Sequence, residues 1–176
     1  MAHTKVPGNT QIPVVLIDVD GVLSLYGRNL DTRHGGRWLN VDGILHFLSE
    51  SAAEPLRRLA SDFDCVWCTG WEDRADEYLR PHYELPRPLT HLTFPAAPAG
   101  AHWKLASIDA ALGPDRPLAW IDDTHDDSCR AWAHERPGPA LLVGTDPAVG
   151  LRDEHVEAVA AWAGALAPES RPGRAG

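Results

Sequence analysis

The chain reads as an α/β domain on a mostly parallel five-stranded sheet, and two observations predict this. Short apolar runs alternate with helix-patterned ones, as expected for a parallel sheet covered on both faces. Three of the apolar runs end in residues suited to chemistry, Asp18, Thr69 and Asp122. In open α/β sheets the carboxyl ends of the strands are where ligands collect.

Taken in order, the first run, Val14-Val15-Leu16-Ile17, predicts a strand over 14–18 that ends in Asp18-Val19-Asp20-Gly21. Residues 27–49 are too irregular for a crossover helix. Asp42-Gly43 lies between 37–41 and 44–48 and is a strong hairpin turn signal. A hairpin flap over the end of the first strand is therefore expected. Helices follow at 52–61, 72–80, 102–112, 126–135 and 153–166. The remaining strands fall at 64–68, 90–94, 118–121 and 140–143. Residues 1–11 and 167–176, rich in Pro, Gly and polar side chains, are expected to be flexible ends, leaving one domain over 12–166.

The bulk properties restrict the class. A chain of 176 residues, 44% hydrophobic and 23% charged, is of ordinary size and composition for one soluble domain. No stretch approaches the roughly 20 apolar residues that span a bilayer. The segment from Met1 to Gln11 lacks the apolar core of a secretory signal, and three cysteines cannot all pair with one another. Both features favour a cytoplasmic, reducing location. A net charge of −9 argues against nonspecific coating of nucleic acid. Six of the acids, at 18, 20, 122, 123, 126 and 127, are grouped where a divalent cation would offset some of them.

Two of the 16 basic residues are lysines, and only Lys104 lies within the domain. Asp18 and Asp20, held at one strand end, repel unless a cation or a shared proton intervenes. That arrangement suits metal-assisted nucleophilic chemistry.

Four motifs in sequence order resemble those of the haloacid dehalogenase (HAD) superfamily of phosphohydrolases. They are Asp18-Val19-Asp20-Gly21-Val22-Leu23, Thr69-Gly70 after Cys65-Val66-Trp67-Cys68, Lys104, and Ile121-Asp122-Asp123 with Asp127 beyond. The resemblance implies a Rossmann-like three-layer sandwich and a Mg²⁺-dependent phosphatase. Asp18 would be the nucleophile that forms an aspartyl-phosphate, and Asp20 the acid–base, kept partly protonated by crowding against Asp18. Thr69 and the Gly70 amide would bind phosphoryl oxygens, and Lys104 would neutralise charge. Mg²⁺ would take Asp18, the Asp20 carbonyl and Asp123, with Asp122 and Asp127 behind them. The Asp122/Asp123 assignment could be reversed. An acid two residues after the nucleophile favours phosphoryl transfer over dehalogenation, because an ester oxygen must be protonated.

Neither interval where such proteins insert a cap, 21–49 or 70–101, has room for a cap domain. An open site suits large phosphorylated substrates, such as a nucleic-acid end or a phosphoprotein, unless a second copy of the chain forms the lid. Absence of the cap together with paired acids in the fourth motif resembles the HAD domains of RNA-repair proteins and polynucleotide phosphatases. Alternatives are a phosphotransferase or a noncatalytic module that binds nucleic acid or a phosphorylated partner.

Arg28, Arg33 and Arg37, with His34, form a basic stretch that either guides an anionic substrate or is a solvated loop whose arginines follow the overall composition. Trp38, Trp71 and Trp103 lie beside the motifs, where an exposed indole would stack on a base. The usual burial of aromatics favours core positions for Trp38 and Trp103. Trp67, Trp120, Trp132 and Trp162 are expected in the core. Cys65 and Cys68 share a strand at a spacing that sends their thiols to opposite faces, which argues against a zinc site.

Overall fold

The computed structural model describes residues 13–30, 32–33, 35–95 and 101–166. The expected flexible ends and His34 lie outside the described residues. The main sheet contains β1 (Val14–Ile17), β5 (Asp64–Trp67), β6 (Thr90–His91), β7 (Leu118–Asp122) and β8 (Ala140–Gly144). Its order is β6-β5-β1-β7-β8, and every pairing is parallel. The expected Rossmann-like α/β sandwich is present.

Side-chain alternation along these strands produces two cores. Val15, Ile17, Cys65, Trp67, Ala119 and Ile121 face α1 (Ala53–Asp62), α2 (Asp73–Tyr83) and α5 (Asp153–Leu166). Val14, Leu16, Val66, Cys68, Leu118 and Trp120 face α3 (Leu105–Leu112) and α4 (Asp127–Glu135). Cys65 and Cys68 thus enter opposite cores as free thiols, as their spacing requires. All four β1 residues are fully buried. At roughly 1.5–3 kcal/mol for each large aliphatic side chain, the central strand is strongly held, and it carries Asp18 at its end.

The hairpin forms a second, antiparallel sheet ordered β2-β4-β3, from β2 (Ser24–Leu25), β3 (Gly36–Val41) and β4 (Ile44–Ser49). Asp42 and Gly43 both have positive φ, 51° and 91°, as a tight two-residue hairpin turn requires. The sequence did not predict β2, which is only two residues long. It joins the flap to the chemistry, because Ser24 bridges Asp20 and the Ser49 amide donates to the Leu23 carbonyl. Tyr83 fastens the flap's base to α2 by donating to the carbonyls of Ser49 and Leu23, at 3.1 and 3.4 Å. That buried contact accompanies a helix that runs past Pro81 to Tyr83, beyond its expected end at 80. The sixth strand is shorter than expected, and α3 begins at Leu105 rather than 102.

Candidate active site

At the end of β1 the chain turns sharply. The amides of Leu23 and Ser24 both donate to the Val19 carbonyl, at 2.8 and 2.9 Å. Gly21 makes the turn at φ +75°, and a Cβ there would lie 2.3 Å from Cγ of Asp123. Glycine is required here both by backbone angle and by the closeness of that carboxylate.

The turn gives the two motif-one acids different surroundings. Asp18 is 6% exposed, and its Oδ2 lies 2.8 Å from Nζ of Lys104. Lys104, itself 1% exposed, reaches Oδ2 of Asp122 at 2.6 Å as well. One ammonium therefore sits between two buried carboxylates. Burial pushes the Asp18 carboxyl up to about 7, and the Asp122 charge adds to this, while Lys104 opposes it. Burial also acts to raise Asp122, but Lys104 and the Thr124 donors outweigh it and hold that carboxyl below its usual range. Burial opposes the charge on Lys104, yet Asp18 and Asp122 hold its pKa above the normal lysine value.

Asp20 is far more open, with its side chain 49% exposed. Its Oδ2 accepts from Nε1 of Trp71 at 3.0 Å, and Oδ1 lies 3.5 Å from Nδ1 of His46. Asp20 thus projects toward an indole and an imidazole, while Asp18 faces Lys104.

Asp122 and Asp123 also differ. Asp122 is fully buried and accepts four hydrogen bonds. Lys104 and Trp120 Nε1 donate to Oδ2, while the Thr124 amide and hydroxyl donate to Oδ1. Asp123 is partly exposed and accepts from the Tyr26 hydroxyl at 2.5 Å. Burial raises its pKa. The same contact, with burial behind it, pushes the Tyr26 phenol up to about 12.

Ligand atoms of Asp18, Asp122 and Asp123 lie within 4.8 Å of one another, so this group can hold a metal ion. Three carboxylates around a single ammonium leave an excess of negative charge, and their hard oxygen donors suit a divalent cation such as Mg²⁺. Asp127 is not brought to the group. Its side chain is 99% exposed and paired with Arg130 at the first turn of α4, where an acid complements the helix dipole.

Thr69 is buried at the end of β5, and its Oγ1 accepts from the Trp71 amide at 3.4 Å. Gly70 is exposed, and a Cβ on it would come within 3.7 Å of the Trp103 ring. Trp103 is 40% exposed and Trp38 60%, so both leave the core positions expected of them. Trp38 is on the hairpin and Trp103 precedes α3, where no second layer covers them among the described residues. Trp67 and Trp120 are fully buried as expected, while Trp132 and Trp162 pack partly buried against the cores.

A cavity of about 410 Å³ opens beside Asp20 between the flap and the loop after β2. None of Arg28, Arg33 and Arg37 lines it. All three are exposed, and Arg37 lies close enough to His82 of α2 to lower that imidazole's pKa, behind burial in effect. The basic stretch is real in sequence, but the cavity wall is mostly aromatic and aliphatic, with Asp20, Ser24 and His46 as its polar members. Sequence reasoning also missed Tyr26, His46 and Thr124, which are single residues with no spacing signature. Trp71 was singled out for its face, whereas its N–H makes the contact with Asp20.

A Rossmann-like sheet whose central strand leads to Asp18, bridged by Lys104 to Asp122 at the end of the neighbouring strand, with Asp123 beside it, defines a HAD-superfamily domain. Residues 14–156 match the family described as the HAD domain in Swiss Army Knife RNA repair proteins, and the chain belongs to that family. No curated protein matches the chain. Among the described residues, no helix is long and apolar enough to cross a membrane.

Proposed function

We propose that this domain is a Mg²⁺-dependent phosphomonoesterase acting on a phosphorylated nucleic-acid end through an aspartyl-phosphate on Asp18. The observation that carries this reading is the unequal setting of the two motif-one acids. Asp18 is buried and fixed by Lys104. Asp20, two residues on, is open to the cavity and held by the Trp71 N–H. A nucleophile needs a fixed position, and an acid–base needs access to both leaving group and water.

In the first step an Asp18 oxygen attacks phosphorus, and the ester P–O bond breaks. The proton of Asp20 goes to the departing oxygen. In the second step water attacks the same phosphorus and gives its proton to Asp20. The Asp18 O–P bond then breaks and inorganic phosphate leaves. Lys104 keeps Asp18 in line, and Thr69 with the Gly70 amide binds phosphoryl oxygens.

Asp18, Asp123 and the Asp20 carbonyl would hold Mg²⁺, which supplies positive charge to the phosphoryl oxygens when bound. Four hydrogen bonds to Asp122 support a supporting role for it and leave Asp123 as the ligand. The family's association with RNA repair supports a nucleic-acid substrate. That no cap domain occurs among the described residues of 21–49 and 70–101 supports a large one, with residues 12–166 as one domain and 27–49 as its flap.

The test is hydrolysis of 3′- and 5′-phosphorylated oligonucleotides with Mg²⁺, comparing the native protein with Asp18→Asn. Native activity is expected to fall by at least about 10³-fold in the variant, as for loss of a covalent nucleophile. Equal activity in the two proteins, or native inactivity on every phosphomonoester tried, would refute the mechanism. Phosphate transfer to added alcohols in place of release would instead identify a phosphotransferase.

A further inference from the structure

The cavity beside Asp20 has a composition that phosphate chemistry does not explain. Its walls include Tyr26, Leu30, Trp38, Leu45 and Phe47, and no lysine or arginine lines it among the described residues. At about 410 Å³ it falls within the range of roughly 300–1,000 Å³ typical of small-ligand sites. Its apolar lining is unusually open. Tyr26, Trp38 and Leu45 are 47%, 60% and 64% exposed, although this fold buries Trp67 and Trp120 completely where the core offers room.

Trp38 is nevertheless held in place. It is the cross-strand partner of Phe47, which is 6% exposed, and their ring centroids lie 5.3 Å apart in an edge arrangement. An open indole held in place by a neighbouring ring suits stacking on a flat ring.

We propose that this cavity receives the base of the nucleotide whose phosphate is removed, with Trp38 as the stacking surface. The proposal rests on the phosphomonoesterase reading above. Asp20 sits at the cavity's edge and gives its proton to the leaving oxygen, so the cavity lies on the leaving-group side of the phosphorus. For a phosphorylated nucleic-acid end, the leaving group is the terminal nucleoside. Its sugar oxygen meets Asp20 and its base continues toward Trp38. Stacking on an indole accepts any base, because every base has a π-face. It also requires that face to be free, so unpaired ends are preferred over ends stacked in a duplex.

Two measurements test this together. In the first, the Asp18→Asn protein is mixed with an oligonucleotide whose phosphorylated terminal nucleotide carries 2-aminopurine. Quenching of its fluorescence is expected, with loss when Trp38→Ala is added and retention with Trp38→Phe. In the second, kcat/KM is compared for phosphorylated ends with and without a base. The native protein is expected to favour the base-bearing end by roughly 10- to 100-fold, chiefly through KM. Trp38→Ala should erase that preference and Trp38→Phe keep most of it. A preference or quenching that survives Trp38→Ala overturns the proposal. Quenching that depends on Trp38 in a protein that hydrolyses no phosphomonoester supports the base site and overturns the reaction. Hydrolysis with neither quenching nor base preference overturns the base site alone, and absence of quenching together with absence of hydrolysis overturns both.

Discussion

Trp67 and Trp120, in the parallel sheet, are fully buried, whereas Trp38, Ile44 and Leu45 in the hairpin sheet are 60%, 63% and 64% exposed. The polar groups are divided in the opposite sense. At the parallel strand ends Asp18, Thr69 and Asp122 are buried, and the buried Lys104 ties Asp18 to Asp122. The hairpin contributes contacts from the rim, through Ser24, Tyr26 and His46. One sheet thus encloses charge with apolar packing around it, where electrostatic interactions are strongest. The other exposes apolar surface around a cavity. The difference separates the region proposed to react from the one proposed to select.

The largest effect that would sharpen this contrast comes from Lys104→Met. Removing the ammonium leaves Asp18 and Asp122 buried without their shared partner, and unfolding free energy should fall by about 3–5 kcal/mol in denaturant titrations. Hydrolysis should be lost as well. A variant as stable as the native protein would break the idea that the parallel sheet depends on enclosed charge.

An intermediate effect concerns pH. The Asp18 carboxyl rises from 3.8 to about 7 in the folded protein, so between those values the folded state holds a proton that the unfolded state has released. The stability this adds is present below about pH 4 and lost as pH rises through about 7. Metal-free protein should therefore melt at a lower temperature near about pH 8 than near about pH 5. Saturating Mg²⁺ should stabilise by about 2–3 kcal/mol at the higher pH and by less at the lower, where it competes with the proton. Differential scanning calorimetry at the two pH values checks this, and an Mg²⁺ shift equal at both would count against Asp18 as a ligand.

The smallest effect is expected on the hairpin. Ile44→Ser at the flap tip should change stability by no more than about 0.5 kcal/mol, because the side chain is already 63% exposed. A loss of several kcal/mol in the same denaturant assay would mean that the flap is part of the stabilising core, and the contrast would fail.

The same division explains what was legible beforehand. Val14 to Asp18 announces itself because a strand covered on both faces must be apolar throughout, and an acid at its end then stands out. Asp42-Gly43 marks the flap turn because few residues tolerate positive φ. Asp122 and Asp123 were legible as a pair but not as individuals. Their roles diverge only because Trp120 and Thr124 reach one carboxylate and Tyr26 the other, and such contacts between single side chains leave no periodic trace. Trp38 was misjudged for a related reason. The average burial of tryptophan is set by cores, and it carries no information about a two-layered edge where the second layer is missing. The basic stretch at Arg28, Arg33 and Arg37 drew attention by charge, while the mostly apolar side chains of the cavity wall lie scattered in sequence and had no compositional signal.

Gly21 has a consequence that reaches across the chain. Any side chain there would occupy the space taken by the carboxylate of Asp123, although the two residues lie on separate strand ends. A lineage that replaced the glycine would have to give up or relocate the acid, whereas one that lost the acid would still need the glycine for its positive φ. The dependence therefore runs one way. A collection of related chains should show the glycine kept where the acid is absent, but not the acid kept where the glycine is replaced, a one-sided imprint of a steric contact that neither residue reveals alone.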